Sequence, residues 1–93
     1  MEFEWDPLKA EANLKKHGVS FNEATMVFND PNAIEELDAK HSSRVEMRFT
    51  LIGMASVKLL LVVYTERLSD RIRIISARRV TRSERSIYEQ ANS

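Results

Sequence analysis

The 93-residue sequence predicts an α+β fold, helices set against an antiparallel sheet, in the order β-α-α-β-β-β-β-α. Three observations carry this reading. Helix start and stop signals crowd the first third of the chain, strand-type alternation and apolar runs fill residues 45 to 75, and a capping signal reopens a helix at Thr81. The elements follow in order. Phe3, Glu4 and Trp5 alternate apolar and polar, as a short strand does. Asp6-Pro7 then opens a helix, with Asp6 as N-cap and Pro7 at the first position, where its missing N–H costs nothing. Leu8, Ala12 and Leu14 recur at roughly helical spacing, and the helix stops at Gly18 after Lys15, Lys16 and His17. Ser20 with Glu23 forms a capping box for a second helix whose apolar face is Ala24, Val27 and Phe28, ended by Asn29-Asp30-Pro31.

Residues 33 to 37 make a weak strand and residues 38 to 43 a polar turn. Val45, Met47, Phe49 and Leu51 alternate with Glu46, Arg48 and Thr50, which predicts a half-exposed strand broken by Gly53. The apolar run from Leu59 to Tyr64 reads as a strand buried on both faces, and Ile72, Ile74 and Ile75 as its hairpin partner. With Ser69-Asp70 as a two-residue turn, Leu68 pairs with Arg71, Glu66 with Arg73, Tyr64 with Ile75 and Leu61 with Arg78. Thr81 and Glu84 form the last capping box, before a helix that turns Ile87 and Tyr88 inward.

Length bounds the chain to one domain with one modest core, residues 1–93. It has no cysteine, hence no disulfide framework and no thiolate metal site. The acidic start MEFEWDPLKAE has no apolar signal core, and no apolar stretch approaches the ~20 residues of a membrane span. A soluble, cytoplasmic protein is the expectation. The zero net charge hides a division. Residues 1–41 hold four lysines, no arginine and nine acids, net −5, whereas residues 42–93 hold nine arginines and one lysine against five acids, net +5. Mutual neutralisation across the fold is the plainer account of such a split. Near-exclusive use of arginine, whose planar fork suits phosphate, favours an anionic partner instead.

Several blocks point to a family. Trp5-Asp6, residues 13–21 (NLKKHGVSF) with Glu23-Ala24 behind them, Tyr64-Thr65-Glu66-Arg67, and residues 72–78 (IRIISAR) with Glu84-Arg85 and Tyr88 resemble the BrnT toxins of type II toxin–antitoxin modules. The match is collinear from residue 3 to about residue 89. It implies a RelE-like fold and RNA cleavage that halts translation. It further implies neutralisation by a small BrnA-type antitoxin of the ribbon-helix-helix kind, through which alone the toxin would meet operator DNA. One departure is residues 53–57, GMASV, which lack a second glycine expected in that turn.

RNA brings its own nucleophile, the 2′-hydroxyl, so its cleavage asks for a base, an acid and cations around the phosphate. No paired metal-ligand motif is visible, and neither a metal nor a cofactor is expected. The catalytic candidates are Lys16, His17, Glu46, Arg48, Arg67 and Arg78. Lys16 and His17 equally fit plain helix-end electrostatics. Glu46 and Arg48, two apart on one strand, set a possible base beside a phosphate clamp, or else form an exposed ion pair. Arg67 and Arg78 enter because their blocks match the family. Arg73, Arg79, Arg82 and Tyr88 are candidates for RNA binding, with Arg73 also pairing Glu66 and Arg82 also fitting a solvated helix face. Phe3, Trp5 and Phe21 read as core, and Tyr64 as core with a polar tip. Two other classes compete with the nuclease: a non-catalytic nucleic-acid-binding module and a pure protein-interaction module, both using the same arginines. The nuclease reading needs those guanidinium groups around one open basic hollow rather than scattered, each tied to its own carboxylate.

Overall fold

The computed structural model describes residues 1–93. Strand β1 (Glu2–Glu4) is followed by helices α1 (Pro7–His17) and α2 (Phe21–Met26), and a 3-10 turn (Val27–Asn29) extends α2. Then come β2 (Ile34–Leu37), a 3-10 turn (Ala39–His41), β3 (Arg48–Ala55), β4 (Lys58–Arg67), β5 (Arg71–Arg79) and α3 (Arg82–Ala91). The five strands form one sheet in the order β1-β5-β4-β3-β2. Its pairings are antiparallel except one: β1 runs parallel to β5, with Phe3 opposite Ile72. The sheet is therefore mixed rather than purely antiparallel. Tight hairpins join β3, β4 and β5, but almost the whole chain separates β1 from β5, so no turn dictates their relative direction.

Local signals set the helix ends. Asp6 Oδ1 accepts from the Leu8 and Lys9 amides, and Gly18 closes α1 at φ 68°, donating to the Leu14 carbonyl. Both capping boxes, Ser20/Glu23 and Thr81/Glu84, are complete in both directions. The inward face of α1 departs from the periodicity: Leu8 and Leu14 are exposed, and Asn13 is buried. Asn13 takes over where β1 ends. Its side chain donates to the Ala77 carbonyl (2.8 Å) and accepts from the Ala77 amide (3.1 Å), continuing the ladder along the free edge of β5. A third bond, to the Val19 carbonyl at 2.9 Å, ties in the turn between the helices.

The two sheet faces differ. The α1/α2 face carries the main core, which includes Val19, Phe21, Ala24, Val27, Leu51, Leu60, Val62, Tyr64, Ile72, Ile74 and Ala77. Phe3 and Trp5 pack against it, and the Tyr64 hydroxyl donates to Glu35. The opposite face has a smaller apolar cluster, Ile52, Leu59 and Leu61, which Tyr88 of α3 and Val80 cover at one end of the sheet. The other end of that face is not roofed by a helix.

Three strand expectations change. Gly53 does not break β3 but lies within it, because a Cβ there would sit 2.8 Å from Val27 Cγ1 and 3.1 Å from Ala33 Cβ. The turn that follows, Ser56-Val57, places Ser56 at φ 57°, where a second glycine would be at ease. The strand expected from Val45 starts only at Arg48, and Val45 is 97% exposed. Third, the β4–β5 loop is Leu68-Ser69-Asp70, with Ser69 and Asp70 both at positive φ. Arg67 therefore pairs with Arg71, Glu66 with Ile72, Thr65 with Arg73 and Tyr64 with Ile74. A bulge at Ile75 then restores the expected Leu61–Arg78 pair. Burying Ile72 and Ile74 together with Ala77 on one face requires that extra residue.

Candidate functional site

The new register decides which arginines meet. Arg48, Thr65 and Arg73 lie in one row across β3, β4 and β5, with Glu4 of β1 next to Arg73. At a strand spacing of about 4.8 Å, Arg48 and Arg73 flank Thr65 some ~10 Å apart on the face away from α1 and α2. Arg67, two residues beyond Thr65, projects from the same face, and Arg71 lies opposite it. Under the two-residue turn, Arg73 would have faced the other side with Glu66.

Four side chains of this unroofed end line an open hollow of about 480 Å³ together with Leu68: Glu4, Arg67, Arg71 and Arg73. A second hollow of about 260 Å³ adjoins it and shares Arg67. The guanidinium groups are also paired. Arg48 Nε donates to Glu46 Oε1 at 3.1 Å, and an Arg67 amino group reaches Glu46 Oε2 at 3.4 Å. Arg73 donates to Glu4 at 2.9 Å, the pairing expected with Glu66 having moved to β1. These partners are 29–44% exposed, and such ion pairs contribute only ~0–1 kcal/mol each. A phosphate can displace a carboxylate held so weakly. Convergence and pairing thus coexist: an open basic hollow is present, and exchangeable acids hold its arginines.

Glu46 is not on β3 but in the segment before it. That segment is pinned by the Thr65 hydroxyl, which donates to the Met47 carbonyl at 2.8 Å, and by the Arg48 amide, which donates to Ser42 Oγ at 2.8 Å. Thr65 is buried, so Glu46 is held on a rigid strand through its neighbour.

The remaining candidates lie elsewhere. Lys16 and His17 end α1, in the layer behind the sheet, and neither makes a hydrogen bond or ion pair with any of the arginines. Arg78 shares the arginine face but sits five positions along β5 from Arg73, and two bonds of 2.8 Å join it to Glu84 of α3. This fork raises the Arg78 pKa and, as the leading cause, lowers that of Glu84. Arg79 and Arg82 are exposed at the junction of β5 and α3. Tyr88, a candidate for RNA binding, is turned inward: it is partly buried against the apolar cluster under α3, and its hydroxyl donates to Asp30 at 2.7 Å. Burial, then the Asp30 bond, pushes its pKa to about 12. Glu4, Thr65 and Arg71 join the site without a signal in the sequence that puts them there. Glu4 and Arg71 owe their places to the β1–β5 pairing, for which the sequence carries no turn signal. No three His, Cys, Asp or Glu side chains cluster closely enough to hold a metal ion.

A family model describing the BrnT ribonuclease toxin of type II toxin–antitoxin systems matches residues 5–84, most of the chain. The chain belongs to the BrnT family. Its fold is similar to the crystal structure of the Brucella abortus ribonuclease toxin BrnT, with a TM-score of 0.64 at 20% identity, covering 88% of this chain and 99% of that one. No curated protein matches the chain. The α+β architecture is thus that of a BrnT toxin, a five-stranded sheet with three helices. In this family member the blocks that carried the resemblance divide between two tasks. Asn13 and Ala77 build the scaffold, while Thr65, Arg67 and Arg73 line the arginine face.

Proposed function

We propose that this BrnT-family chain is a metal-independent endoribonuclease of RelE-like fold that cleaves single-stranded RNA and so inhibits translation in the cytoplasm. A BrnA-type ribbon-helix-helix antitoxin would hold it inactive and supply its only link to operator DNA. The observation that carries the reading is the hollow that Arg67, Arg71 and Arg73 line, open to solvent on one face, with Arg48 in the same strand row as Arg73.

In this reading the scissile phosphate displaces Glu46 and Glu4 from their arginines and is clamped by Arg67 and Arg73, with Arg48 behind Glu46. Glu46, released beside the phosphate, takes the proton from the RNA 2′-hydroxyl. The 2′-oxygen attacks the adjacent phosphorus, the 5′-oxygen leaves and is protonated from solvent, and the products are a 2′,3′-cyclic phosphate and a 5′-hydroxyl end. The guanidinium groups neutralise the charge that builds on the phosphorane oxygens. Arg78 acts by positioning α3, and Arg79 and Arg82 lie on the outward path of the RNA backbone. Lys16 and His17 take no part in this chemistry.

Cleavage of a single-stranded RNA by the purified chain in excess chelator tests the reading. Arg67→Ala and Arg73→Ala should each slow cleavage about 10²-fold or more, the typical loss for one transition-state donor. His17→Ala should cleave within a few-fold of wild type. Intact RNA with wild-type chain, alongside tight salt-sensitive binding, would favour the non-catalytic nucleic-acid-binding module.

A further inference from the structure

The smaller of the two adjoining hollows has walls of a different kind from those of the arginine hollow. It lies at the end of the β3–β4 pair, below the last paired residues Arg48 and Thr65, and is lined by Val45, Glu46, Met47, Phe49, Thr65, Glu66 and Arg67. Three of these are apolar. Val45 and Met47 are 97% and 47% exposed in a segment otherwise tied down by hydrogen bonds, so two hydrophobic side chains are held out to water beside a cleft. Phe49 forms the inner wall, its ring stacked on Tyr64 at 5.5 Å between centroids. The cleft holds about 260 Å³, space for one flat heterocycle, and it communicates with the arginine hollow through the shared Arg67. An apolar cleft one side chain away from a phosphate clamp has the layout of a nucleotide: base in one compartment, phosphate in the other.

The polar lining narrows the base. Thr65 spends its hydroxyl proton on the Met47 carbonyl, and Glu46, held by Arg48 and Arg67 in the free protein, is turned to the 2′-hydroxyl once phosphate displaces it. Glu66 alone carries a carboxylate with no hydrogen bond or ion pair to another residue. A carboxylate is an acceptor with two oxygens, so it selects an edge that offers two adjacent donors. Guanine has that edge, with its N1–H and N2–H₂ side by side. Adenine and cytosine each place a ring acceptor beside their amino group, and uracil sets its one N–H between two carbonyls.

We propose that this cleft is a base-recognition subsite for an unpaired guanine next to the phosphate bound by Arg67, with Val45, Met47 and Phe49 holding the ring and Glu66 reading its donor edge. The inference rests on the ribonuclease reading for its RNA, but its test need not involve cleavage. Short oligouridines carrying 2′-O-methyl groups throughout have no nucleophile, and a single central position can be guanine, inosine, adenine, cytosine or uracil. Binding to the wild-type chain, measured by fluorescence anisotropy at fixed salt, should favour guanine at least tenfold over adenine and uracil. Inosine, which lacks the N2 amino group, should fall in between. In Glu66→Gln the ratio of guanine to adenine affinity should drop below threefold, and Met47→Asp should erase the guanine preference by removing the apolar wall. Thermal melting of both variants establishes that they fold. Equal affinity for all five oligonucleotides, or a guanine preference unchanged in Glu66→Gln, overturns the subsite. Those outcomes are separable from failure of the ribonuclease reading, which is read from the unmodified guanine oligonucleotide: base-selective binding with no scission would retain the subsite and reject the enzyme.

Discussion

Asn13 shows how one polar side chain can finish a sheet. It is buried, and its amide supplies both a donor and an acceptor to Ala77 while also bonding the Val19 carbonyl. Asn13→Ala would leave the Ala77 amide and carbonyl in a dry site with no partner. A cost of about 3 kcal/mol is expected, at the upper end for buried unsatisfied groups, and urea denaturation measures it. Asn13→Asp should be no better, because it replaces two donors with a carboxylate aimed at carbonyl oxygens. At the same scale Glu46 does two things: it fixes Arg48 and Arg67 in the free protein and gives way to phosphate. Glu46→Gln should therefore impair cleavage far more than it impairs binding of an uncleavable RNA, a contrast that a purely structural ion pair would not produce.

At the scale of elements, β3 and its turn carry two conformational demands of opposite sign. Gly53 lets the 3-10 turn after α2 approach the sheet, and Gly53→Ala should lose about 1–3 kcal/mol as the new methyl group meets Val27. Ser56, left-handed at φ 57°, should accept glycine with a gain of about 0.5–1 kcal/mol in stability. Guanidinium denaturation curves of the two variants should shift in opposite directions. Helix α3 is held by two polar anchors, Arg78–Glu84 at its first turn and Tyr88–Asp30 near its end. Asp30 is a hub. Burial raises its pKa, but bonds donated by the Met54 amide, the Tyr88 hydroxyl and the Asn32 amide outweigh this and leave it lowered.

For the molecule as a whole, these anchors set a window of pH stability. Asp30, Glu84 and Glu23, the last chiefly through its bond to Lys58, all have lowered pKa values in the fold. A depressed carboxylate contributes stability that is present above its unfolded pKa and is lost as pH falls through the folded one. Stability should therefore hold from neutrality down to about pH 5 and fall below it, and Glu84→Gln should flatten part of that fall. Tyr88 has the opposite sign. Its pKa is raised from 10.0 to about 12, so its contribution is complete below pH 10 and declines as pH climbs through that interval, a decline that Tyr88→Phe should remove. Electrostatics also bounds how RNA is held. If Arg67 and Arg73 hold the scissile phosphate and Arg79 and Arg82 meet two more, about three phosphates are neutralised, the logarithm of affinity should fall against that of salt with a slope of about −2, and Arg79→Ala or Arg82→Ala should reduce the slope.

Chain-local information settled a good deal of this protein. Asp6-Pro7, Gly18, Ser20/Glu23 and Thr81/Glu84 act through backbone groups no more than a turn away, so the helix ends are readable from neighbouring residues. The apolar run of β4 and the sorting of acids and arginines into opposite halves are likewise properties of the string itself. The arginine site is not. Whether Arg73 faces Arg67 or Glu66 depends on a loop of three residues rather than two and on a bulge at Ile75. Period-2 side-chain alternation turns a one-residue shift into a change of face, and only the packing of Ile72, Ile74 and Ala77 against the helices selects the register. Tertiary structure also moved Lys16 and His17 behind the sheet and took Tyr88 into a hydrogen bond, because sequence spacing carries no record of which layer a helix end will join.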